Sequence, residues 1–253
     1  MYLTIRGLVL RVTQYNDTDA LLSVLTPTHG KLTVKARGLR RRNSPLTAPC
    51  QLLAYNEFTL FEYRGMYTIN EAHSIELFQK LRADLQKLSL GTYFAQVSEV
   101  VSQEDIPSPE LLSLLLNCLH ALANTDLHED QIKAVFELRS ACLAGYMPEL
   151  NGCWNCGNEN AEMFDLSNGR TECVSCNIHS SSSIRLPISA GILSAMRYIC
   201  MCDSKKIFSF KVGEEAMKRL SEVTEGYLST QLERGFSCLD FYKSLRINMD
   251  LNS

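Results

Sequence analysis

The chain of 253 residues lacks the short signatures of several common catalytic machineries. It has no Gly-x4-Gly-Lys-Ser/Thr loop to cradle a nucleotide's phosphates, no His-Glu-x2-His pair to hold a protease metal, and no Gly-x-Ser-x-Gly elbow to present a serine nucleophile. A non-enzymatic protein is the expectation. Long apolar runs are missing too. The longest, Leu111 to Ala123, is broken by Ser113, Asn117 and His120 and is too short to cross a bilayer, so no membrane association is expected. Met1 to Gly7 has no basic region ahead of an apolar stretch and cleavage site, so a secretory leader is not expected either. Histidine is scarce. His29 precedes a turn glycine, His73 ends a strand, and His120 and His128 lie on or beside helices, all positions of packed or solvated rings. The ten cysteines therefore read as those of a cytoplasmic protein, where paired thiols mean metal more often than disulfide.

Four of those cysteines form two pairs, Cys153-Trp154-Asn155-Cys156 and Cys173-Val174-Ser175-Cys176, with sixteen residues between them. Two residues inside each pair let one tight turn aim both sulfurs at one ion, and the intervening segment is long enough for a hairpin to return the second pair. Gly152, Gly157 and Gly169 suit those turns. One structural Zn²⁺ on Cys153, Cys156, Cys173 and Cys176 is the expectation. Redox-active dithiols and unconnected thiols remain as alternatives, and His179 is a possible substitute ligand. Cys50, Cys118, Cys142, Cys200, Cys202 and Cys238 read as small core residues.

Charge is unevenly spread. Residues 1 to 75 hold nine Lys/Arg against five Asp/Glu, a balance of +4, whereas the remainder carries 16 against 23. A positive module on a negative body attracts a polyanion to one end only. That module reads as all-β, with strands at residues 8–12, 20–25, 31–37, 57–63 and 66–72 separated by turns at Asn16 to Asp19, Thr26 to Gly30 and Arg64-Gly65. Five short strands suit an OB-fold barrel; an SH3-like barrel leaves much the same trace. After Ser74 the apolar period changes to about 3.6. Helices are expected over 77–101, from Ser108-Pro109-Glu110 with a capping hydroxyl, over 129–146, and at 189–200, 213–234 and 237–246. Ser113, Asn117, His120 and Asn124 make the only polar stripe of the second of these, so it should be buried on most sides. The serine run 180–183 and the tail 248–253 are expected to be loose. The fold class is thus α+β and multidomain: an OB-fold barrel over 1–75, a helical domain over 76–150 and 184–253, and a zinc-ribbon-like insertion over 151–183.

Within the barrel, Lys31-Leu32-Thr33-Val34-Lys35-Ala36-Arg37 places Lys31, Thr33, Lys35 and Arg37 on one face and apolar residues on the other. Arg40, Arg41 and Arg42 extend the patch, giving six cations and no acid from 31 to 42. Flexible cations on a sheet face follow phosphates without reading bases, which predicts nucleic-acid affinity with little sequence preference. The plainer alternative is an edge strand guarded by lysines. Tyr15, Tyr55, Phe61, Tyr63 and Tyr67 are available to stack on bases, but aromatics in a small barrel belong more often to its core, and none is assigned to the site.

Val34-Lys35-Ala36-Arg37-Gly38-Leu39-Arg40-Arg41, Phe136-Glu137-Leu138-Arg139, Gly145-Tyr146-Met147-Pro148-Glu149-Leu150 and Cys153-x2-Cys156-Gly157 together resemble the bacterial RecO recombination-mediator family, in order and spacing from about Gly7 to Arg246. The resemblance implies an OB-fold, a helical bundle and a zinc-ribbon-like insertion. It implies binding of single- and double-stranded DNA, annealing of complementary strands, and placement of RecA on gapped DNA together with RecR and the C-terminal tail of single-stranded DNA-binding protein. RecF is a further candidate partner, and the nucleoid the implied location. Lys35, Arg37, Arg40 and Arg41 match the motif whose cations contact the DNA backbone, and the four paired cysteines match the zinc ligands. One departure is Asn168-Gly169-Arg170, where members often have two glycines. Two rival readings come from other classes: a zinc-ribbon scaffold for transcription or translation proteins that does not bind DNA, and a thiol oxidoreductase using Cys153 and Cys156.

Overall fold

The computed structural model describes residues 1–179 and 183–250, and the side chains of all these except 177–179 and 248–250. Residues 180–182 of the serine run, 251–253 of the tail and the His179 side chain lie outside the described residues, whereas 248–250, expected to be loose, continue the last helix. The chain forms two compact units, Met1–Thr125 with Phe236–Ser253, and Asp126–Gly235. The division between them falls inside the helical segment rather than at the end of the barrel.

The first unit begins with strands β1 (Tyr2–Gln14), β2 (Ala20–Thr26), β3 (Gly30–Ala36), β4 (Tyr55–Tyr63) and β5 (Met66–Glu76). They close into a barrel in the order β1-β2-β3-β5-β4, with β4 returning to β1, and this is an OB-fold. Strand β1 is longer than its apolar centre suggests because it serves two partners. Tyr2 to Leu8 pair with β4, and Leu8 to Gln14 pair with β2, with a register shift between Val9 and Arg11. That irregularity explains why Leu8, Val9 and Leu10 are all buried where strict alternation would expose one. The barrel core is the inward set Ile5, Val9, Leu22, Val24, Leu32, Val34, Ala36, Phe58, Leu60 and Ile69. Strand β3 pairs with β2 on one side and, in parallel, with β5 on the other through Val34↔Tyr67 and Lys35↔Thr68. It is therefore not an edge strand, which removes the edge-guarding account of its lysines.

Helices α1 (Gln79–Arg82), α2 (Leu85–Val101) and α3 (Pro109–Asn124) follow, and α7 (Ser237–Asp250) completes this unit. Asp84 caps α2 by accepting from the Gln86 and Lys87 amides. Ser108 does not cap α3 as its sequence suggests; its hydroxyl donates to the Ile106 carbonyl at 3.2 Å instead. The expected polar stripe of α3 holds: Ser113, His120 and Asn124 are exposed, while its leucines are largely buried. Tyr93 of α2 meets Phe236 edge-on at 5.5 Å, anchoring the start of α7.

The second unit contains α4 (Glu129–Leu143), a sheet in the order β6-β8-β7-β9, and helices α5 (Ala190–Met201) and α6 (Glu214–Gln231). The strands are β6 (Glu149–Cys153), β7 (Met163–Asp165), β8 (Arg170–Glu172) and β9 (Arg185–Pro187). Helices α4 and α6 share a buried ionic cluster. The Lys133 ammonium lies 2.9 Å from both Glu137 and Glu225, and Thr224 donates to Glu137 at 2.8 Å. Burial disfavours the charge on Lys133, but the two carboxylates outweigh it and hold its pKa above the ordinary value. The β7–β8 turn resolves the departure at Asn168-Gly169-Arg170. Only Gly169 takes a positive φ there, 63°, and Asp165 accepts from the Ser167 and Asn168 amides, so a single glycine suffices.

The turn into β3 is the most constrained place in the barrel unit. Thr26 Oγ1 donates to the Gly30 carbonyl and accepts from the His29 amide, while the Lys31 amide donates to the Gln103 carbonyl. Gly30 sits at φ +61°, and a β-carbon there would fall 2.3 Å from the Ile106 carbonyl oxygen and 2.5 Å from that of Gln103. Gly30→Ala is therefore expected to destabilise the protein by about 2–3 kcal/mol, read from the urea midpoint. An unchanged midpoint would contradict the close approach.

Candidate metal centre and nucleic-acid face

Cys153 ends β6, Cys156 follows it across a turn, and Cys173 and Cys176 flank the start of a short 3₁₀ segment, Val174–His179. The first turn is set by Gly157 at φ +75°, whose amide donates to the Cys153 carbonyl at 2.8 Å; in the second, the Cys176 amide donates to the Cys173 carbonyl at 3.1 Å. The fold thus brings the sixteen-residue separation down to one cluster, with all four sulfurs within 4.8 Å of one another. Zn–S bonds of ~2.3 Å in a tetrahedron require sulfur separations of ~3.8 Å, and Cys156 and Cys173 stand 3.8 Å apart. Donors around the sulfurs favour thiolates. The Cys173 amide donates to Cys153 Sγ at 3.2 Å, and Asn158 Nδ2 to Cys173 Sγ at 3.4 Å. Burial works against charge on Cys153, yet the amides of Cys156, Cys173 and Asn155 bring its pKa down to about 6. Burial and the neighbouring sulfurs push Cys173 up to about 12. One thiolate forms readily and opposes the next, an arrangement that a divalent cation relieves. The donor set, four thiols with no carboxylate, fits Zn²⁺ held in a closed site.

Trp154 is exposed, and the Arg170 guanidinium lies 5.0 Å from its ring. Among the remaining cysteines, Cys50, Cys118 and Cys200 are buried as expected, whereas Cys142, Cys202 and Cys238 are only partly so.

On the barrel, the parity read from the sequence holds. Leu32, Val34 and Ala36 are buried, and Lys31, Thr33, Lys35 and Arg37 alternate outward. The six cations are not equivalent, however. Lys31 donates to the Glu99 carbonyl at 2.9 Å. Lys35 is ion-paired with Asp19 at 3.1 Å and lies 4.6 Å from the centre of the Tyr15 ring. Arg40 donates to the Asn16 carbonyl at 3.2 Å while remaining exposed. Arg37, Arg41 and Arg42 are exposed, and among the described residues none has a carboxylate within ion-pairing distance. The structure therefore separates a fixed pair, Lys31 and Lys35, from a free arginine cluster on the strand end and its loop.

The family models decide the relationship. One described as Recombination protein O N terminal matches residues 1–78, and one described as Recombination protein O C terminal matches residues 82–238. The chain belongs to the RecO family. It is 33% identical to a DNA repair protein RecO of Acetivibrio thermocellus over 246 residues, covering 96% of this chain and 97% of that protein. It is 30% identical to a DNA repair protein RecO of Alkaliphilus metalliredigens over 248 residues, covering 97% and 100%. RecO is a family of DNA repair and recombination, in agreement with the resemblance carried by the residues.

One residue that organises this RecO barrel was not singled out in the sequence. Asp19 accepts from the Gly38 amide at 2.9 Å and from Lys35, Asn16 and Thr18 side chains, joining the turn before β2 to the end of β3. The Gly38 amide first, and Lys35 next, hold its carboxyl well below the usual carboxylate range. The cue available in sequence was the Asn-Asp-Thr-Asp turn, but its target nineteen residues away was not. Because the folded-state pKa lies below the unfolded value of about 3.9, this carboxylate stabilises the fold at neutral pH. The contribution is lost as the pH falls into the acid range. Asp19→Asn should lower Tm at pH 7, and its gap to the parent protein should narrow below about pH 4. A gap that stays constant from neutral to acid pH would contradict this role.

Proposed function

We propose that this chain is a non-enzymatic DNA-repair mediator that binds single- and double-stranded DNA through its barrel and anneals complementary strands. In this reading it helps place RecA on gapped DNA with RecR and single-stranded DNA-binding protein, with RecF a further partner, in the bacterial cytoplasm at the nucleoid. The observation that carries the reading is the exposed cluster of Arg37, Arg40, Arg41 and Arg42 on an OB-fold barrel, none of which is ion-paired among the described residues. Arg37, Arg41 and Arg42 are the primary phosphate contacts. Arg40 shares its guanidinium with the Asn16 carbonyl, Lys31 acts chiefly by adding long-range positive potential, and Lys35, neutralised by Asp19, holds the base of the loop. Annealing follows from charge neutralisation, since cations on one surface reduce the repulsion between two strands held side by side.

The assay is annealing of complementary oligonucleotides together with binding across a salt series. Four phosphate contacts on a single strand give a slope of log K against log salt of about −3. Arg40→Ala combined with Arg41→Ala should weaken binding to all sequences about equally and slow annealing. A flat salt response, or a loss confined to one sequence, would contradict the reading.

The metal's part is structural: a Zn²⁺ held by Cys153, Cys156, Cys173 and Cys176 would tie together the ends of the parallel strands β6 and β8 and hold the thiols out of exchange chemistry. Structural zinc contributes on the order of 10 kcal/mol in small peptides. Cys156→Ser, or a strong chelator, should therefore release one zinc per chain and lower Tm. Retention of both metal and melting temperature by the variant would refute that assignment.

A further inference from the structure

The outward rows of the barrel set aromatic rings beside the cationic strand. Tyr2 pairs with Phe61, Phe61 with Thr68, and Thr68 with Lys35, so one row crosses β1, β4, β5 and β3 in turn. Directly paired residues project from the same side of a sheet, and strands about 4.8 Å apart make this row about 14 Å long. The next row along β4 is Tyr63 paired with Met66. These side chains are not core: Tyr2, Phe61, Tyr63 and Met66 are 62%, 41%, 58% and 66% exposed. A barrel face turned to water ordinarily carries polar residues in such positions. The Tyr2 and Phe61 rings lie 5.3 Å apart and tilted by 54°, and the Arg64 guanidinium lies 5.2 Å from the centre of the Tyr63 ring. Arg37 follows Ala36, the last residue of β3, and among the described residues it has no carboxylate within ion-pairing distance. Lys35 of this row is paired with Asp19, while Glu71 meets His73 and Glu57 meets Arg6 towards the other end of the face.

We propose that Tyr2, Phe61 and Tyr63 form a base-stacking platform for single-stranded nucleic acid, with Arg64 beside the Tyr63 ring as a phosphate holder. The inference rests on the polynucleotide reading above and adds to it a preference that the arginine cluster alone does not supply. Phosphates are present in duplex and single strand alike, whereas base faces are free only in the single strand, so rings on the surface favour unpaired DNA. A protein partner also uses exposed aromatics. The Arg64 guanidinium beside the Tyr63 ring favours a ligand that offers flat apolar faces and anions together.

The test uses the full chain and fluorescence anisotropy with a labelled oligothymidylate and an abasic oligomer of equal length. The parent protein is expected to bind the base-bearing strand about tenfold more tightly than the abasic one. Phe61→Ala combined with Tyr63→Ala should remove that margin while leaving the affinity for the abasic strand and the salt slope unchanged. Phe61→Tyr combined with Tyr63→Phe should keep it. A parent protein that binds both strands equally, or an alanine variant that retains the margin, overturns the platform and assigns the face to a protein partner. A parent protein that binds neither strand overturns the polynucleotide reading itself, and the platform with it.

Discussion

Two parallel residue pairs, Val34↔Tyr67 and Lys35↔Thr68, close the barrel, and the rest of the first unit's functional surface depends on them. Closure makes β3 an interior member of a continuous sheet, so its outward side chains become part of one face shared with β5, β4 and β1. Left open, the same strand would be an edge whose lysines discourage aggregation. Closed, it sets cations in register with exposed rings. The inward side chains of the same strands, Leu32 and Val34 against Phe58, Leu60 and Ile69, supply the apolar burial that holds this register.

The cationic face is also sorted by its own hydrogen bonding. Asp19 draws Lys35 and the Gly38 amide to the turn before β2, which fixes the point where the chain leaves β3. The arginines beyond that point are exposed on a loop whose base is held, Arg40 with one donor on the Asn16 carbonyl. A charge count over residues 31 to 42 treats six cations alike; the structure divides them into Lys31, Lys35 and Arg40, bonded to neighbouring groups, and Arg37, Arg41 and Arg42, which make no ion pair among the described residues.

Much of this organisation was legible in the sequence, for identifiable reasons. The β3 alternation and the α3 polar stripe are periodic patterns, and period reports which side of an element meets the core. The cysteine spacing reports a cluster of four sulfurs able to hold a metal ion, because tetrahedral coordination tolerates few separations. What was not legible depends on partners distant in sequence. The length of β1 reflects its service to both β2 and β4. Ser108 looks like a cap, yet its hydroxyl finds the Ile106 carbonyl. The aromatics were expected in the core, but composition does not reveal parity around a bulged strand, and Phe61 and Tyr63 prove to be outside. The grouping of the helices into two units likewise depends on packing rather than on periodicity.

Polynucleotide held on the outer face of the closed barrel, as proposed above, should be visible in amide hydrogen exchange of the full chain, with and without a single-stranded oligonucleotide. Exchange should slow in β3, in the arginine loop that follows it and in the β4–β5 hairpin. Unchanged exchange there, with protection confined to residues 126–235, would contradict it.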